Sequence, residues 1–118
     1  MPYRGFEYLE LWKESCRLAV SVQGLFKDSR DYAERDQFPY SSISVPSKIA
    51  EGSELGSEKD TSYFLHVAKG SFAAIGTQLY FSSNRHCRST TDTALLDDTK
   101  KISSKLQNLI KSLLVRIQ

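Results

Sequence analysis

The sequence contains little of what marks several common classes of protein. Two cysteines in 118 residues are too few for a disulfide framework. His86 and Cys87 make a poor start for a zinc site, because zinc takes four ligands at recognisable spacing. No apolar run approaches the roughly 20 residues that span a bilayer, and the first residues lack the apolar core of a signal peptide. We therefore expect no metal, no membrane association and a cytoplasmic protein.

The net charge is equally uninformative about a partner. The formal charge is +2, with 40% hydrophobic and 25% charged residues, which is typical of a soluble globular chain. The length fits one domain, residues 1–118. Residues 85–118 hold seven Lys and Arg against three Asp. This basic bias near the C-terminus is compatible with phosphate binding without requiring it.

Motifs that carry chemistry are also missing. The chain has no Gly-x-Ser-x-Gly elbow, no Walker loop and no Rossmann fingerprint. Glu51 has no histidine, cysteine or second carboxylate placed beside it by the sequence, so it is interpreted as a helix-end carboxylate making a hydrogen bond or a salt bridge. His66 is interpreted as a surface or interface histidine. We expect no catalytic residues, no cofactor and no small-molecule substrate.

Hydrophobic periodicity predicts four helices and no strand. The first covers about 6–28, the third about 58–83 and the fourth about 92–117. The second begins somewhere between Glu34 and Ser44, and Gly52 and Gly56 end it. Four helices with short connections and apolar seams indicate an all-α, antiparallel up-and-down four-helix bundle.

Two local signals refine the second and third helices. Pro46 either begins the second helix or kinks a longer one. Ser57, followed by Asp60, resembles a capping box at the start of the third helix. The third helix also has a surface of small residues around Gly70 and Gly76. Because glycine destabilises a helix interior, we expect close approach of another helix there.

The first helix is apolar on two sides. Leu9 and Cys16 lie on one side, and a second group points almost opposite to them. A helix with two apolar sides needs two sets of contacts, so the second group is predicted to face a further element or another subunit. The alternative is a single wide apolar stripe on a central helix. The predicted interface residues are Leu11, Leu18, Val22 and Leu25.

The fourth helix is the clearest amphipathic segment. Its apolar residues form a stripe, and basic residues occupy the remaining surface. These basic residues are the candidate nucleic-acid-binding set, and the alternative is a solvated helix face. The set consists of Lys100, Lys101, Lys105, Lys111 and Arg116.

Four segments in order give a family resemblance. "FEYLELW" at 6–12, "VPSKIAEG" at 45–52, "YFLHVAKGSFAAIGTQL" at 63–79 and "LQNLIKSL" at 106–113 resemble the four-helix-bundle proteins encoded in intervening sequences of 23S ribosomal RNA genes. The sequence departs from that family at Pro39 and Tyr40, where members usually carry arginines. It departs again at Ala74 and Gly76, where members usually carry glutamates.

The resemblance implies a four-helix bundle that assembles as a ring-like homopentamer. Most of the family has no established biochemical activity. A related group, the accessory proteins of diversity-generating retroelements, binds nucleic acid and a reverse transcriptase through a basic surface. The expected function is therefore a non-enzymatic oligomeric scaffold or adaptor, with RNA or DNA binding as the alternative.

Overall fold

Four α-helices make up nearly all of the described chain. The computed structural model describes residues 6–54, 57–86 and 90–117, and the side chains of all of these except 6–7, 85–86, 90–92 and 116–117. No strand occurs within those ranges, so the all-α four-helix fold class is confirmed. The helices are α1 (Phe6–Phe26), α2 (Phe38–Glu54), α3 (Glu58–His86) and α4 (Thr90–Ile117).

Each helix packs against its neighbours in sequence, and α1 also packs against α4. The contacts of α2 with α3 run in opposite sequence order. The Ser44 hydroxyl donates to the Ser71 hydroxyl at 2.7 Å, and the Gln78 amide donates to the Ser41 hydroxyl at 3.1 Å. These two helices are therefore antiparallel, as the sequence predicts. The bundle has extents of 46 × 21 × 20 Å.

One continuous apolar core runs between the helices. It contains residues from every helix, and all of them are almost fully buried. The apolar stripe predicted for the fourth helix supplies one wall of this core, through Leu95, Ile102, Leu106, Ile110 and Leu113. Its largest fully buried apolar side chains are Tyr8, Leu11, Phe26, Ile49, Leu65, Phe72, Ile75, Leu79, Leu106 and Ile110.

The side of α1 that was predicted to face another subunit is already covered within the single chain, so the premise of that prediction is wrong. Leu11, Leu18 and Val22 are only 2%, 4% and 1% exposed within the single chain. Leu25 is half-buried and packs against the same core. Leu9, on the other side, is also half-buried. The structure thus shows the alternative, one wide stripe, because α1 contacts both α2 and α4.

A short π-helical turn, Ala33–Gln37, precedes α2 and accounts for the unclear start of that helix. The Asp31 carboxylate accepts a hydrogen bond from the Glu34 backbone N–H at 3.2 Å. The Ser29 hydroxyl donates to the Glu34 carboxylate at 2.9 Å. Glu34 is fully buried, which the hydrophobic pattern does not indicate. The Ser29 hydroxyl thus gives the buried carboxylate of Glu34 a hydrogen-bond partner.

The predictions made for the ends of α2 and α3 agree with the structure in part. Pro46 lies inside α2, so it does not begin the helix. The Ser57 hydroxyl accepts from the backbone N–H of Lys59 at 3.1 Å and of Asp60 at 3.2 Å, which confirms the predicted helix start. Gly56 lies outside the described residues.

The glycines of α3 do not have the close helix contact that their position predicts. A methyl group added at Gly70 or Gly76 would meet no atom within 4 Å outside the local helix. Among the described residues, close packing therefore does not offset the helix-destabilising effect of these glycines. The close approach occurs instead at Gly52 of α2, where the nearest atoms lie at 3.1–3.4 Å.

Candidate functional site

The segment "VPSKIAEG" forms the junction of three helices. Val45 and Ile49 are buried in the core. The hydroxyl of Tyr8, on α1, donates a hydrogen bond of 2.6 Å to the Ile49 carbonyl. The Thr61 hydroxyl, on α3, donates to the Gly52 carbonyl at 2.7 Å. The most recognisable segment of the sequence therefore holds α1, α2 and α3 together.

Gly52 is the tightest point of this junction. A Cβ at this position would lie 3.1 Å from the Tyr8 hydroxyl, and 3.4 Å from both the Phe64 Cβ and the Thr61 carbonyl oxygen. Only glycine leaves room for three helices to meet here without a shift of a buried neighbour. The sequence marks Gly52 as the end of α2, whereas the structure places it inside that helix.

Glu51 and His66 both lie at the surface, and each has a partner on its own helix. Lys48 Nζ lies 3.4 Å from Glu51 Oε2, and Glu51 is exposed. This confirms the interpretation of Glu51 as a helix-end carboxylate in a salt bridge. His66 is exposed, and its Nδ1 lies 2.8 Å from the carbonyl oxygen of Ser62.

The basic residues of α4 do not form one uninterrupted surface. Lys100, Lys101, Lys105 and Lys111 are all exposed. Lys105 is paired with Glu14 of α1 at 2.8 Å. Lys101 borders the same α1–α4 groove, whereas Lys100 borders the groove between α3 and α4. The side chain of Arg116 lies outside the described residues.

The groove between α1 and α4 is divided by the Glu14–Lys105 ion pair. A cavity of about 560 Å³ lies on one side, lined by Arg17, Asp98 and Lys101 among others. A cavity of about 510 Å³ lies on the other, lined by Glu10 and residues of α4. Both cavities carry mixed charge, so neither favours a ligand of one sign.

The groove between α3 and α4 has a more uniform charge. It encloses about 850 Å³, and its charged lining residues are Lys69 and Lys100. Tyr80, which is exposed, lies on the same wall as the open position Gly76. The rest of the lining is apolar or hydroxyl-bearing. Two ammonium groups and an aromatic ring in one groove are a set that can contact phosphate and base.

Large apolar side chains remain exposed on several helices. α3 alone contributes Tyr63, Tyr80 and Phe81, each more than half exposed. Exposed apolar residues scattered singly are normal on a monomer, whereas a large contiguous apolar patch marks an interaction surface. The full set in the described residues is Val20, Tyr32, Tyr40, Ile43, Tyr63, Tyr80, Phe81, Leu114 and Val115.

Shifted pKa values have structural causes. Partial burial raises the pKa of the Cys16 thiol, and the nearby Arg17 opposes that shift. A hydrogen bond from Arg35 lowers the pKa of the exposed Asp36. The same pairing raises the pKa of Arg35. None of these shifts places a general acid or base in a cleft.

Metal binding and membrane crossing can both be addressed from the described residues. No cluster of three or more His, Cys, Asp or Glu side chains there could hold a metal ion. No described helix combines the length and apolar character needed to cross a bilayer.

Comparison with protein-family models identifies the family of this chain. A family model described as 23S rRNA-intervening sequence protein matches residues 7–108. The matched range includes the three-helix junction at Tyr8, Ile49 and Gly52. A comparison with curated proteins finds no match to this chain.

Proposed function

Because the chain belongs to the 23S rRNA-intervening sequence protein family, we propose that it is a non-enzymatic homo-oligomeric bundle. In this proposal it serves as a scaffold or adaptor for another macromolecule. The resemblance implies five subunits in a ring. The observation that supports assembly is the set of exposed aromatic and aliphatic side chains on the helices, particularly on α3.

The support for assembly comes from a different helix than the sequence indicates. Leu11, Leu18 and Val22 are already covered by the core of their own chain. The exposed residues Tyr63 and Phe81 on α3, and the uncovered positions Gly70 and Gly76, are available to a second chain. Contacts there would supply the close packing that these glycines lack within one chain.

Light scattering on a sizing column tests assembly. At micromolar concentration we expect a mass that is a multiple of the 13.4 kDa of one chain. The ring implied by the resemblance predicts a multiple of five. A mass of one chain across the micromolar range would contradict the scaffold proposal.

Nucleic-acid binding is the second candidate function, and the groove between α3 and α4 favours it. Lys69 and Lys100 line that groove with Tyr80, which suits a single strand whose phosphates meet lysines and whose bases stack on tyrosine. Repetition of a weak basic groove around an oligomer raises avidity without new contacts.

The salt dependence of RNA and DNA binding tests this second function. We expect affinity to fall steeply as the salt concentration rises. Lys100→Gln removes one phosphate contact, so it should reduce the magnitude of the negative slope of log K against log salt by about 1. Lys59→Gln, at an exposed position outside the lining of the groove, should leave the slope unchanged. Absence of binding at low salt would leave only the scaffold.

A further inference from the structure

The exposed positions of α2 form one ridge along the outside of the bundle. They recur at intervals of three and four residues, so they lie on one face of the helix. The first half of the ridge is apolar, with Tyr40 75% and Ile43 43% exposed. The second half ends in two carboxylates. The residues of this α2 ridge are Tyr40, Ile43, Ser47, Glu51 and Glu54.

The groove between α3 and α4 has the complementary composition. Its charged lining residues are both lysines, Lys69 and Lys100, and its floor between them and Tyr80 is apolar. Gly76, on its wall, is open, because a Cβ at this position would meet no atom within 4 Å outside the local helix. A glycine at such a position lets the backbone of another helix approach closely.

The apolar half of the ridge lies at the height of the groove along the bundle. Ile43 precedes Ser44, whose hydroxyl donates to the Ser71 hydroxyl at 2.7 Å. Because α2 and α3 are antiparallel, the residue before Ser44 lies level with the residue after Ser71. That residue is Phe72, which lines the groove.

The first residue of the ridge is level with the aromatic end of the groove. Tyr40 precedes Ser41, whose hydroxyl accepts a hydrogen bond from the Gln78 amide at 3.1 Å. Tyr40 therefore lies beside the height of Tyr80, which lines the groove at that end. Both tyrosines are more than half exposed in the single chain.

The acidic end of the ridge lies on the side of Lys69. Glu51 is nearly level with Thr61, which bonds to the carbonyl of the next residue of α2, so Glu51 lies about 10 Å beyond Lys69 along the bundle. Side chains tilt toward the N-terminus of their own helix, so these two side chains lean toward each other from antiparallel helices. Glu51 pairs with Lys48 within the chain, and Glu54 keeps this end net negative.

We infer that the α2 ridge of one copy packs head to tail into the α3–α4 groove of the next copy. This inference rests on the proposed self-assembly and names its contact. A contact between two different patches continues from copy to copy and can close into a ring, whereas a two-fold contact only forms pairs. Copies related by rotation alone do not shift along the ring axis. Two patches that meet between parallel bundles must therefore lie at the same height, as these do.

The contact covers groups that one chain leaves open. Ile43 packs against Gly76 and the apolar floor, Tyr40 meets Tyr80, and Lys69 gains a carboxylate from the ridge. It also accounts for a glycine at position 76, which otherwise destabilises α3.

A nucleic-acid strand is the competing occupant of this groove. Such a strand would use the two lysines and Tyr80 but would leave the apolar floor without an apolar partner. The ridge supplies both negative charge and apolar side chains, so the composition of the groove favours the ridge.

Two charged variants block the two halves of the contact separately. Ile43→Glu puts a carboxylate in the apolar half of the ridge, and Gly76→Glu obstructs the groove at a position that is open in the single chain. Each variant lacks one patch on every copy. In light scattering we therefore expect each variant alone to have the mass of one chain, 13.4 kDa.

Matched controls and a second groove variant accompany these two. Val20→Glu, at an exposed apolar position of α1, and Gly24→Glu, at an open glycine of α1, lie outside both patches and should keep the wild-type mass. Lys69→Glu, at an exposed position, reverses a charge of the groove without touching Gly76 and should also reduce the mass. Thermal denaturation checks that each variant is folded.

Mixing the two blocked variants tests the head-to-tail direction. Ile43→Glu chains keep an intact groove and Gly76→Glu chains keep an intact ridge, so one contact can form between them and no further copy can be added. We expect the equal mixture to have twice the mass of one chain and no larger species. A mixture that stays at the mass of one chain, up to the highest soluble concentration, would overturn the head-to-tail contact.

The remaining outcomes separate this inference from the proposed function. If Ile43→Glu and Gly76→Glu both kept the wild-type mass, the ridge-in-groove contact would be wrong and the scaffold would stand, with the groove left to a nucleic-acid strand. A wild-type protein with the mass of one chain would overturn both.

Discussion

Replacement of Leu11 with alanine is expected to lower the free energy of unfolding by about 2–5 kcal/mol. Leu11 is 2% exposed in a single chain, so truncation removes buried methyl groups and leaves a cavity among close-packed neighbours. The measurement is urea denaturation of wild type and variant at two protein concentrations. We expect the same difference in free energy at both concentrations, because the lost contacts lie within one chain.

Val20→Ala is the matched control for this substitution. Val20 lies on the same helix and is 69% exposed, so its truncation should change stability by no more than about 0.5 kcal/mol. If the loss for Leu11→Ala grew or shrank with protein concentration, Leu11 would be contributing to a subunit contact, and its assignment to the core of the single chain would be wrong.

The periodicity of α1 predicted the helix but not what covers its sides. Leu11 and Leu9 do point in nearly opposite directions, as the sequence indicates. Periodicity gives direction only. A helix held between two neighbours buries more than half of its circumference, and the contacts of α1 with both α2 and α4 were not available from the sequence. The same limit does not affect α4, whose narrower stripe matches its burial.

Glu34 shows a second limit of the hydrophobic pattern. Glu34 is fully buried but is not hydrophobic, so it does not contribute to the hydrophobic periodicity of the sequence. The periodicity therefore does not define the residue at which α2 begins. A local signal was present, since Asp31 followed three residues later by Glu34 has the spacing of a capping box. The structure uses part of that motif, with the Asp31 carboxylate accepting from the Glu34 N–H.

Lysines of the basic set on α4 border two different grooves for a related reason. The helical periodicity of the sequence places the basic residues outside the apolar stripe of the fourth helix. In the structure, neighbouring helices pack on both sides of α4 and separate these residues. Lys105 forms an ion pair with Glu14 of α1. Lys100 lines a different groove, together with Lys69 of α3. Lys69 was absent from the predicted set because no pattern within one helix links it to α4.

The three-helix junction predicts a coupled effect of two substitutions. Gly52→Ala is expected to destabilise the protein by about 1–3 kcal/mol, because overpacking exceeds the gain in helix propensity. The new methyl group would meet the Tyr8 hydroxyl at 3.1 Å. That hydroxyl cannot move away freely, since it is buried and bonded to the Ile49 carbonyl at 2.6 Å.

Removal of the hydroxyl by Tyr8→Phe should make room for the methyl group. We expect Gly52→Ala to cost at least about 0.5 kcal/mol less in the Tyr8→Phe background than in wild type, measured by a double-mutant cycle in urea. Gly24→Ala, where nothing lies within 4 Å, should instead stabilise by about 0.4–1 kcal/mol in both backgrounds. Equal costs of Gly52→Ala with and without the hydroxyl would show that Phe64 and Thr61, not Tyr8, set the fit at the junction.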